Sequence, residues 1–287
     1  MFRSKYHVSG SVRHIEQQFW CSQQLPHLEV RTTYNSMQGY KAHSHSALSI
    51  GLIEVGTTCL SIKDKKILLN QGDMVLIQPH AVHACNPVNG NARSYHMLYV
   101  DESWCCEALS ALYQRQVDQI TCTHIRLTDL KIANELSFLI NTLLKKTNKT
   151  KNNASHIDSL LFDILNLYCA PVFNKTDNNL ALQIKQHLLN NMVSPPSNHD
   201  ISQQLGCSTE SVIRNFKRCF GITPKSFLNN SRIEKAKYLL KSGVNIIDVA
   251  SEVGYSDQSQ LHRAFVNYTA STPRQYQQLK SFFDNKS

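Results

Sequence analysis

The sequence of 287 residues is long enough for about two domains, and 41% of its residues are hydrophobic, as in globular proteins. It contains no run of about 18 apolar residues and no apolar core near its N-terminus, so we expect a cytoplasmic protein without membrane span or signal peptide. Nine cysteines, an odd number without any C-x-x-C pair, argue against a disulfide framework and a zinc ribbon.

The formal net charge of +9 is distributed unevenly along the chain. Residues 1–172 carry 16 basic and 13 acidic side chains, a net of +3, whereas residues 173–287 carry 14 and 8, a net of +6. The basic second part favours a polyanionic partner, which is either nucleic acid or an anionic membrane surface.

Short apolar runs separated by turn residues occupy residues 28–100. They include LSIGLIEV, DMVLIQP and YHMLYV, and the intervening turns contain Gly56, Gly72 and Pro79. Many short strands at close spacing are typical of a β-sandwich or β-barrel, so we predict an N-terminal barrel.

The apolar period then changes from that of strands to that of helices. Residues 127–144 repeat apolar side chains at helical spacing, with Thr128 or Asp129 as the candidate N-cap. A polar, cationic segment at 145–155 is predicted to be a loop, and a second helix is predicted over residues 157–170.

An Asn-rich segment poor in apolar residues, 173–179, is the candidate linker between domains. It separates an N-terminal domain of residues 1–172 from a C-terminal domain of residues 180–287, in which helices are joined by short turns.

One pattern occurs twice in the C-terminal domain. The first copy is LGCSTESVIRNFKRCFGITP at 205–224, and the second is VGYSDQSQLHRAFVNYTASTP at 253–273. Each contains a glycine, a small polar residue, a helix with an apolar stripe, and Thr-Pro. Chance amphipathic helices would explain the apolar spacing but not these matched positions.

Each copy has the plan of a helix-turn-helix motif. Gly206 and Gly254 suit the tight turns, and Ser208 and Ser256 are the candidate N-caps of the second helices. A short helix precedes each glycine, and in the first copy Asp200 is its candidate N-cap.

The segments RNFKRCFGITPKSFL, RIEKAKYLL and IIDVASEVGYSDQSQLHRAF resemble the DNA-binding domain of AraC-type transcription regulators, over about residues 180–280. The resemblance implies two recognition helices joined by a linker helix, which read successive major-groove segments about 34 Å apart. Two positions depart from the family pattern: Ala270 replaces a usual glycine, which would strain the turn, and Val266 replaces a frequent lysine, which would remove a backbone contact.

On this resemblance the outer faces of the two recognition helices contact DNA. Arg214 and Arg263 are predicted to read bases through bidentate bonds to guanine, and Ile213 suits a thymine methyl group or packs on a neighbouring helix. The same faces present Thr209, Glu210, Gln258, Ser259 and His262. The remaining cations are predicted to contact phosphates and are Lys217, Arg218 and Lys225.

The barrel segment contains HSHS at 43–46 and GDMVLIQPHAVHACNP at 72–87, which resemble the two cupin motifs. His43, His45 and His83 match three ligand positions of metal-binding cupins. The position of the fourth ligand, a carboxylate in those enzymes, is occupied by Ser49 or Ile50. We therefore predict no metal or other cofactor, with a three-histidine zinc site as the alternative.

The pairing of such a barrel with an AraC-type domain implies that a small-molecule effector binds inside the barrel. The candidate polar groups of an otherwise apolar pocket are His43, His45, His83 and His96, or else these are hydrogen-bonded structural histidines. His96 matches by position a pocket histidine of the sugar-binding family member. The two helices after the barrel correspond to the place where the family dimerises, or they merely cover the barrel.

We therefore predict an α+β protein of two domains: a cupin-like β-barrel with two trailing helices, and an all-α domain with two helix-turn-helix motifs joined by a linker helix. Its predicted function is effector-controlled, sequence-specific transcription regulation, as an activator and without catalytic residues. The predicted partners are double-stranded DNA, a small-molecule effector, RNA polymerase and a second copy of the chain. The alternatives are a cupin metalloenzyme with a DNA-localising domain, a DNA-repair enzyme, and a regulator whose barrel only dimerises. A DNA-repair enzyme of this kind would need a reactive cysteine, and none of the cysteines has a recognisable reactive setting.

Overall fold

The computed structural model describes residues 15–144, 150–173 and 179–278. The strands are β1 Glu16–Ser22, β2 Leu25–Ser36, β3 Leu48–Val55, β4 Thr58–Ile62, β5 Lys65–Leu69, β6 Met74–Ile77, β7 His83–Pro87, β8 Arg93–Val100, β9 Ile120–Cys122, β10 Arg126–Leu127 and β11 Cys169–Pro171. The helices are α1 Glu102–Tyr113, α2 Leu130–Leu144, α3 Thr150–Tyr168, α4 Asn179–Asn190, α5 Asn198–Gln204, α6 Thr209–Phe220, α7 Pro224–Lys241, α8 Ile246–Glu252, α9 Gln258–Thr269 and α10 Pro273–Gln278.

The N-terminal domain is built from antiparallel sheets, as predicted. Six strands form a sheet in the order β1-β2-β8-β3-β6-β10, and three more form a sheet in the order β5-β4-β7. Apolar side chains of both sheets share one core, in which Ile53, Leu60, Leu69 and Ile77 are buried. The two sheets therefore close around this core as a cupin-like barrel.

Helices α1, α2 and α3 cover the outer face of the six-stranded sheet. Leu48, Ile50 and Leu52 of β3 belong to the apolar cluster shared with these helices, whereas Ile53 lies in the core between the sheets. Because both faces of β3 are covered, its sequence is a continuous apolar run rather than an alternating one.

The helices that follow the barrel differ in two respects from the prediction. Three are present instead of two, because α1, Glu102–Tyr113, precedes the two predicted helices. Helix α3 begins at Thr150, so the loop predicted over 145–155 is wrong from residue 150 onward, while 145–149 lie outside the described residues. Polar residues lower helix propensity only slightly, and the buried side chains of Ala154 and Ile157 stabilise this part of the helix. Asp129 is confirmed as the capping residue of α2, because its carboxylate accepts the amides of Lys131 and Ile132 at 3.0 and 3.2 Å.

The C-terminal domain contains the two predicted helix-turn-helix motifs, α5–α6 and α8–α9. Phe216 and Phe265, at matching positions of α6 and α9, are each fully buried in a separate apolar cluster. Linker helix α7 joins the clusters, since Leu228 belongs to the first and Ile233 to the second. The two motifs are thus attached to opposite ends of one helix.

Two of the three helix caps predicted in the repeats are shifted. Ser208 is confirmed as the N-cap of α6. Asp200 is instead the third residue of α5, where it forms a capping box with the true N-cap, Ser197. Asp257 rather than Ser256 caps α9, because its longer carboxylate accepts the amide of Gln260 at 2.7 Å.

The turn glycines take the left-handed backbone conformation that the repeats predicted. Gly206 has φ of 63° and Gly254 has φ of 82°. A Cβ on Gly254 would lie 2.7 Å from the Cα of Val193, so a side chain there would collide with backbone. The C-caps differ: α6 ends at Gly221, whereas α9 ends at Ala270 with φ of 51°, the strained non-glycine turn that the sequence suggested.

None of the helices in the described part of the chain is both long and apolar enough to cross a membrane.

Candidate nucleic-acid interface and interdomain site

The two recognition helices each divide into a buried stripe and an exposed outer face. In α6, Val212 and Phe216 are buried while Arg214 is exposed. In α9, Leu261 and Phe265 are buried while Arg263 is exposed. Both proposed base-reading arginines therefore lie on accessible surface, as a role in DNA recognition requires.

The other residues predicted to contact DNA are also at least partly accessible. The exposed members are Glu210, Lys217, Arg218, Lys225, Gln258 and Ser259, and the half-buried ones are Thr209, Ile213 and His262. Thr209 and Arg218 have contacts within their own motif: Thr209 lies 3.2 Å from the hydroxyl of Ser202 in α5, and Arg218 donates to Asn215 at 2.7 Å. The α5 contact stabilises the turn geometry that presents α6.

Three of the four candidate effector histidines meet at the rim of the barrel. His43 lies in the loop between β2 and β3 and forms a β-bridge with His83, through backbone bonds of 3.0 and 2.8 Å. The ring centroids of His43 and His83 are 4.6 Å apart, and His45 lies 4.8 and 5.4 Å from these two rings. One ring nitrogen from each of the three residues lies within 4.8 Å of the others. We call these three residues the histidine cluster.

Backbone carbonyls fix the orientation of two rings in the histidine cluster. The Nδ1 of His43 donates to Lys41 O at 2.6 Å, and the Nδ1 of His83 donates to Ala81 O at 2.9 Å. Since a carbonyl oxygen can only accept, the proton is on Nδ1 in each ring and the lone pair is on Nε2. Burial lowers the pKa of His43 and lowers that of His83 to about 3, so both rings are neutral near pH 7.

His96 is placed apart from the histidine cluster. Its Nδ1 lies 2.7 Å from the hydroxyl of Thr32, and its Nε2 lies 3.2 Å from a carboxylate oxygen of Glu54. Residues 96, 98 and 100 alternate with 95, 97 and 99 along β8, and Leu98 and Val100 belong to the cluster shared with the helices. His96 therefore faces the helical layer rather than the interior of the barrel.

Linker helix α7 contributes charged side chains that the sequence did not single out. Glu234 Oε1 lies 3.3 Å from His45 Nδ1, and the other oxygen of Glu234 lies 3.1 Å from the ammonium of Lys237. Burial tends to raise the pKa of Glu234, but Lys237 and His45 outweigh it and hold the pKa below its usual value. Lys241 forms an ion pair with Glu29 of the barrel. These residues share one side of α7, next to the buried stripe that contains Ile233, and that helical spacing is their signal in the sequence.

The C-terminal end of α9 is hydrogen-bonded to the barrel. Arg31, only 5% exposed, donates to Thr269 O at 2.7 Å, and Gln17 donates to Ala270 O at 3.0 Å. The amide of Lys41 donates to Asn267 O at 3.0 Å. The barrel thus binds the carbonyl groups that an isolated helix would leave to water.

A space for a ligand lies between the domains. The core between the sheets is lined by buried apolar side chains, and beside Arg31 and Tyr40 a cavity of about 20 Å³ has room for about one water molecule. A cleft of about 260 Å³ opens between the barrel rim and α7. Its charged and aromatic lining includes Glu29, His45, Tyr99, Glu234, Lys237 and Lys241.

Comparisons with known proteins agree with both halves of the structure. The model of the AraC-like ligand binding domain matches residues 25–165, and a helix-turn-helix domain model matches residues 201–279. The chain is 27% identical over 248 residues to an HTH-type transcriptional regulator of Bacillus subtilis, YbfI, covering 82% of this chain and 86% of that one. It is 26% identical over 298 residues to an HTH-type transcriptional regulator of Haemophilus influenzae, covering 90% and 98%.

The fold also resembles that of solved structures. Wild-type ToxT from Vibrio cholerae with a bound unsaturated fatty acid superposes with a TM-score of 0.54 at 14% identity, covering 90% of this chain and 98% of that chain. At this identity the likeness concerns the arrangement of barrel and helical domain.

Proposed function

This chain belongs to the AraC-type transcription regulators, and we propose that it reads DNA through α6 and α9 under the control of a small molecule held between its domains. The observation that carries the proposal is the pairing of two exposed recognition faces with a barrel that is hydrogen-bonded to the end of one recognition helix, α9. Regulation requires such a connection between the sensing and the reading domain.

The proposed roles on DNA follow from side-chain chemistry. Arg214 and Arg263 read guanines, each contributing about 1–3 kcal/mol of discrimination. Lys217, Arg218 and Lys225 contact phosphates and supply affinity that falls with salt. Thr209, Glu210, Ile213, Gln258, Ser259 and His262 complete the two reading faces. Because regulation of transcription takes place where the DNA and RNA polymerase are, we assign the protein to the cytoplasm. We propose no catalytic role for it.

The proposed effector site is the interdomain cleft. A molecule that enters it contacts His45 from the barrel and Glu234 and Lys237 from α7, and so binds one arrangement of the domains better than another. The ToxT structures contain an unsaturated fatty acid and a naphthalenyl-butenoic acid, both organic acids. Lys237 and Lys241 line the cleft here and are paired with Glu234 and Glu29, so a carboxylate ligand would bind by displacing these side chains. Organic acids are the first class of effector to test.

We further propose that the regulator is a dimeric activator. Phe138 of α2 is 69% exposed, and Leu130 of α2 and Leu167 of α3 are also exposed. A second copy of the chain would cover these apolar side chains by packing the same helices against each other. A dimer of this kind places four recognition helices on one operator, where it recruits RNA polymerase.

The experiment that tests the proposed function is a genome-wide map of DNA bound by the full-length protein in cells, followed by footprinting on the recovered sites. We expect a recurrent, non-palindromic half-site that covers two successive turns of the major groove. Binding spread evenly over the genome, or a footprint of one turn only, would contradict the proposal.

A further inference from the structure

We propose that the histidine cluster, His43, His45 and His83, is a binding site for a divalent first-row transition-metal ion, with Zn²⁺ as the probe. We infer in addition that the ion ties the barrel to linker helix α7. The second statement rests on the proposed function, whereas the first does not.

The donor set suits such an ion. Three imidazoles are sufficient protein ligands for zinc and leave a fourth position open. Bonds of about 2.0–2.1 Å to a tetrahedral ion would place the nitrogens about 3.3 Å apart. The ring nitrogens already lie within 4.8 Å of one another, so side-chain rotations that close each gap by at most about 1.5 Å complete the site.

The surroundings of the rings are those of metal ligands. Metal-binding histidines donate their second ring N–H to a carbonyl or a carboxylate, which fixes the ring and leaves the other nitrogen for the ion. Lys41 O accepts from His43 at 2.6 Å, and Ala81 O accepts from His83 at 2.9 Å. Glu234 Oε1 lies 3.3 Å from the Nδ1 of His45. All three rings therefore have an acceptor at Nδ1.

The acceptor of His45 comes from the other domain. The sequence offered Ser49 or Ile50 where metal-binding cupins have a carboxylate, and this absence argued against a metal. The structure brings Glu234 of α7 beside His45, 189 positions away in the chain. The Glu234 carboxylate is not a metal ligand here. It orients the ligand His45, so Glu234 is a positioning residue.

The loops that carry the cluster also contact the DNA-binding domain. Ser44, between two of the histidines, exchanges hydrogen bonds of 3.2 and 3.0 Å with Asn230 of α7. Val82, next to His83, lies beside Gly221 at the end of α6: a Cβ on that glycine would lie 3.6 Å from the Cβ of Val82. An ion that fixes these loops therefore stabilises one arrangement of the two domains.

The site is tested on the untagged, full-length protein after removal of metal by a chelator. We expect competition titration with a chromophoric chelator to show one Zn²⁺ per chain, and Co²⁺ to give the visible bands of a four-coordinate ion. His43→Gln and His83→Gln should abolish both signals. Glu234→Gln, which keeps all three imidazoles and removes the carboxylate beside His45, should weaken Zn²⁺ binding about 10–100-fold.

The matched control is His156→Gln, since His156 is an exposed histidine paired with Glu135 at 2.7 Å far from the cluster. It should bind Zn²⁺ as wild type does, and circular dichroism verifies that all variants are folded. Absence of stoichiometric Zn²⁺ binding by the folded wild type, or binding unchanged in both His43→Gln and His83→Gln, would overturn the site.

The inference that the ion links the barrel to α7 needs a second measurement. Operator affinity is measured with and without Zn²⁺ for wild type and for Glu234→Gln, and we expect a several-fold change in wild type that is reduced in the variant. Zn²⁺ binding without any change in operator affinity would overturn the link while leaving the site standing. Failure to find any specific operator would contradict the proposed function, and the titration would still decide the site.

Discussion

The two helix-turn-helix motifs share one plan but differ in what lies at the end of the recognition helix. The last carbonyls of α9 accept hydrogen bonds from the barrel, at 2.7 Å from Arg31 and 3.0 Å from Gln17. Helix α6 ends at exposed Gly221, which lies beside Val82 of the barrel: a Cβ added to this glycine would be 3.6 Å from the Cβ of Val82. The orientation of α9 is thus set by directional bonds from the sensing domain.

This difference indicates where a signal passes between the domains. Hydrogen bonds to fixed carbonyls define an orientation, whereas a neighbouring apolar side chain without such bonds permits sliding. A ligand or ion that moves the barrel rim therefore acts first on the position of α9. Because α7 joins the two motifs, the distance between α9 and α6 changes as a result.

The largest expected loss of stability comes from removing the buried phenylalanine ring of each recognition helix. Phe216→Ala and Phe265→Ala should each cost about 3–5 kcal/mol in the free energy of unfolding, because both rings are fully buried. Denaturant unfolding should show that Phe265→Ala also lowers the midpoint of the barrel, whose contacts depend on α9. An equal effect of both variants on the barrel would contradict the comparison.

Removing the buried guanidinium should break the connection between barrel and α9. Arg31→Met leaves Thr269 O without its donor and should cost about 2–3 kcal/mol, measured by denaturant unfolding. Arg274→Met is the matched control, since Arg274 is exposed and should change stability by less than about 0.5 kcal/mol. A loss in the control as large as in Arg31→Met would show that the interdomain bond is not the cause.

The two base readers should act on different halves of the operator. Arg263→Ala should relax base choice at one position in the downstream half of the site, and Arg214→Ala at one position in the other half, each costing about 1–3 kcal/mol. Binding to a library of operator variants measures this. If either variant relaxed positions in both halves, the assignment of one helix to each half would be wrong.

A phosphate contact should behave differently from a base contact. Lys217→Ala should weaken binding to all sequences alike and reduce the slope of log affinity against log salt by about one. Titrations at several salt concentrations provide the slope, and Arg263→Ala tested in parallel shows how a base reader differs.

The smallest loss of stability should come from giving helix α6 the same C-terminal residue type, alanine, that ends helix α9. Gly221 has φ of 74°, so Gly221→Ala should cost about 1 kcal/mol, whereas α9 already carries Ala270 at φ of 51°. Thermal unfolding measures the loss. No loss would mean that the end of α6 relaxes freely, and this would strengthen the contrast with the bonded end of α9.

The repeats and the strands could be predicted from the sequence because their signals are local. Matched glycines and apolar stripes defined α6 and α9, and short apolar runs defined most strands. β1, with the sequence EQQFWCS, was missed, because it is an edge strand with mostly polar residues and was not distinguished by an apolar run. The caps moved by one or three residues, since neighbouring Ser and Asp are equally suitable acceptors.

The interdomain contacts could not be predicted, because each partner alone is an ordinary polar residue. Arg31 and Thr269 are 238 positions apart, and His45 and Glu234 are 189 apart. Only the folded chain brings a barrel guanidinium beside α9 and a barrel imidazole beside the linker helix. The same limit explains why His96 was grouped with three histidines whose surroundings differ from its own.

Hydrogen–deuterium exchange on Arg31→Met and wild type tests most directly whether the barrel holds α9 in a way that it does not hold α6. We predict faster exchange of the amides over residues 265–271 in the variant and unchanged exchange over residues 216–222. Equal acceleration in both segments, or none in either, would contradict the account.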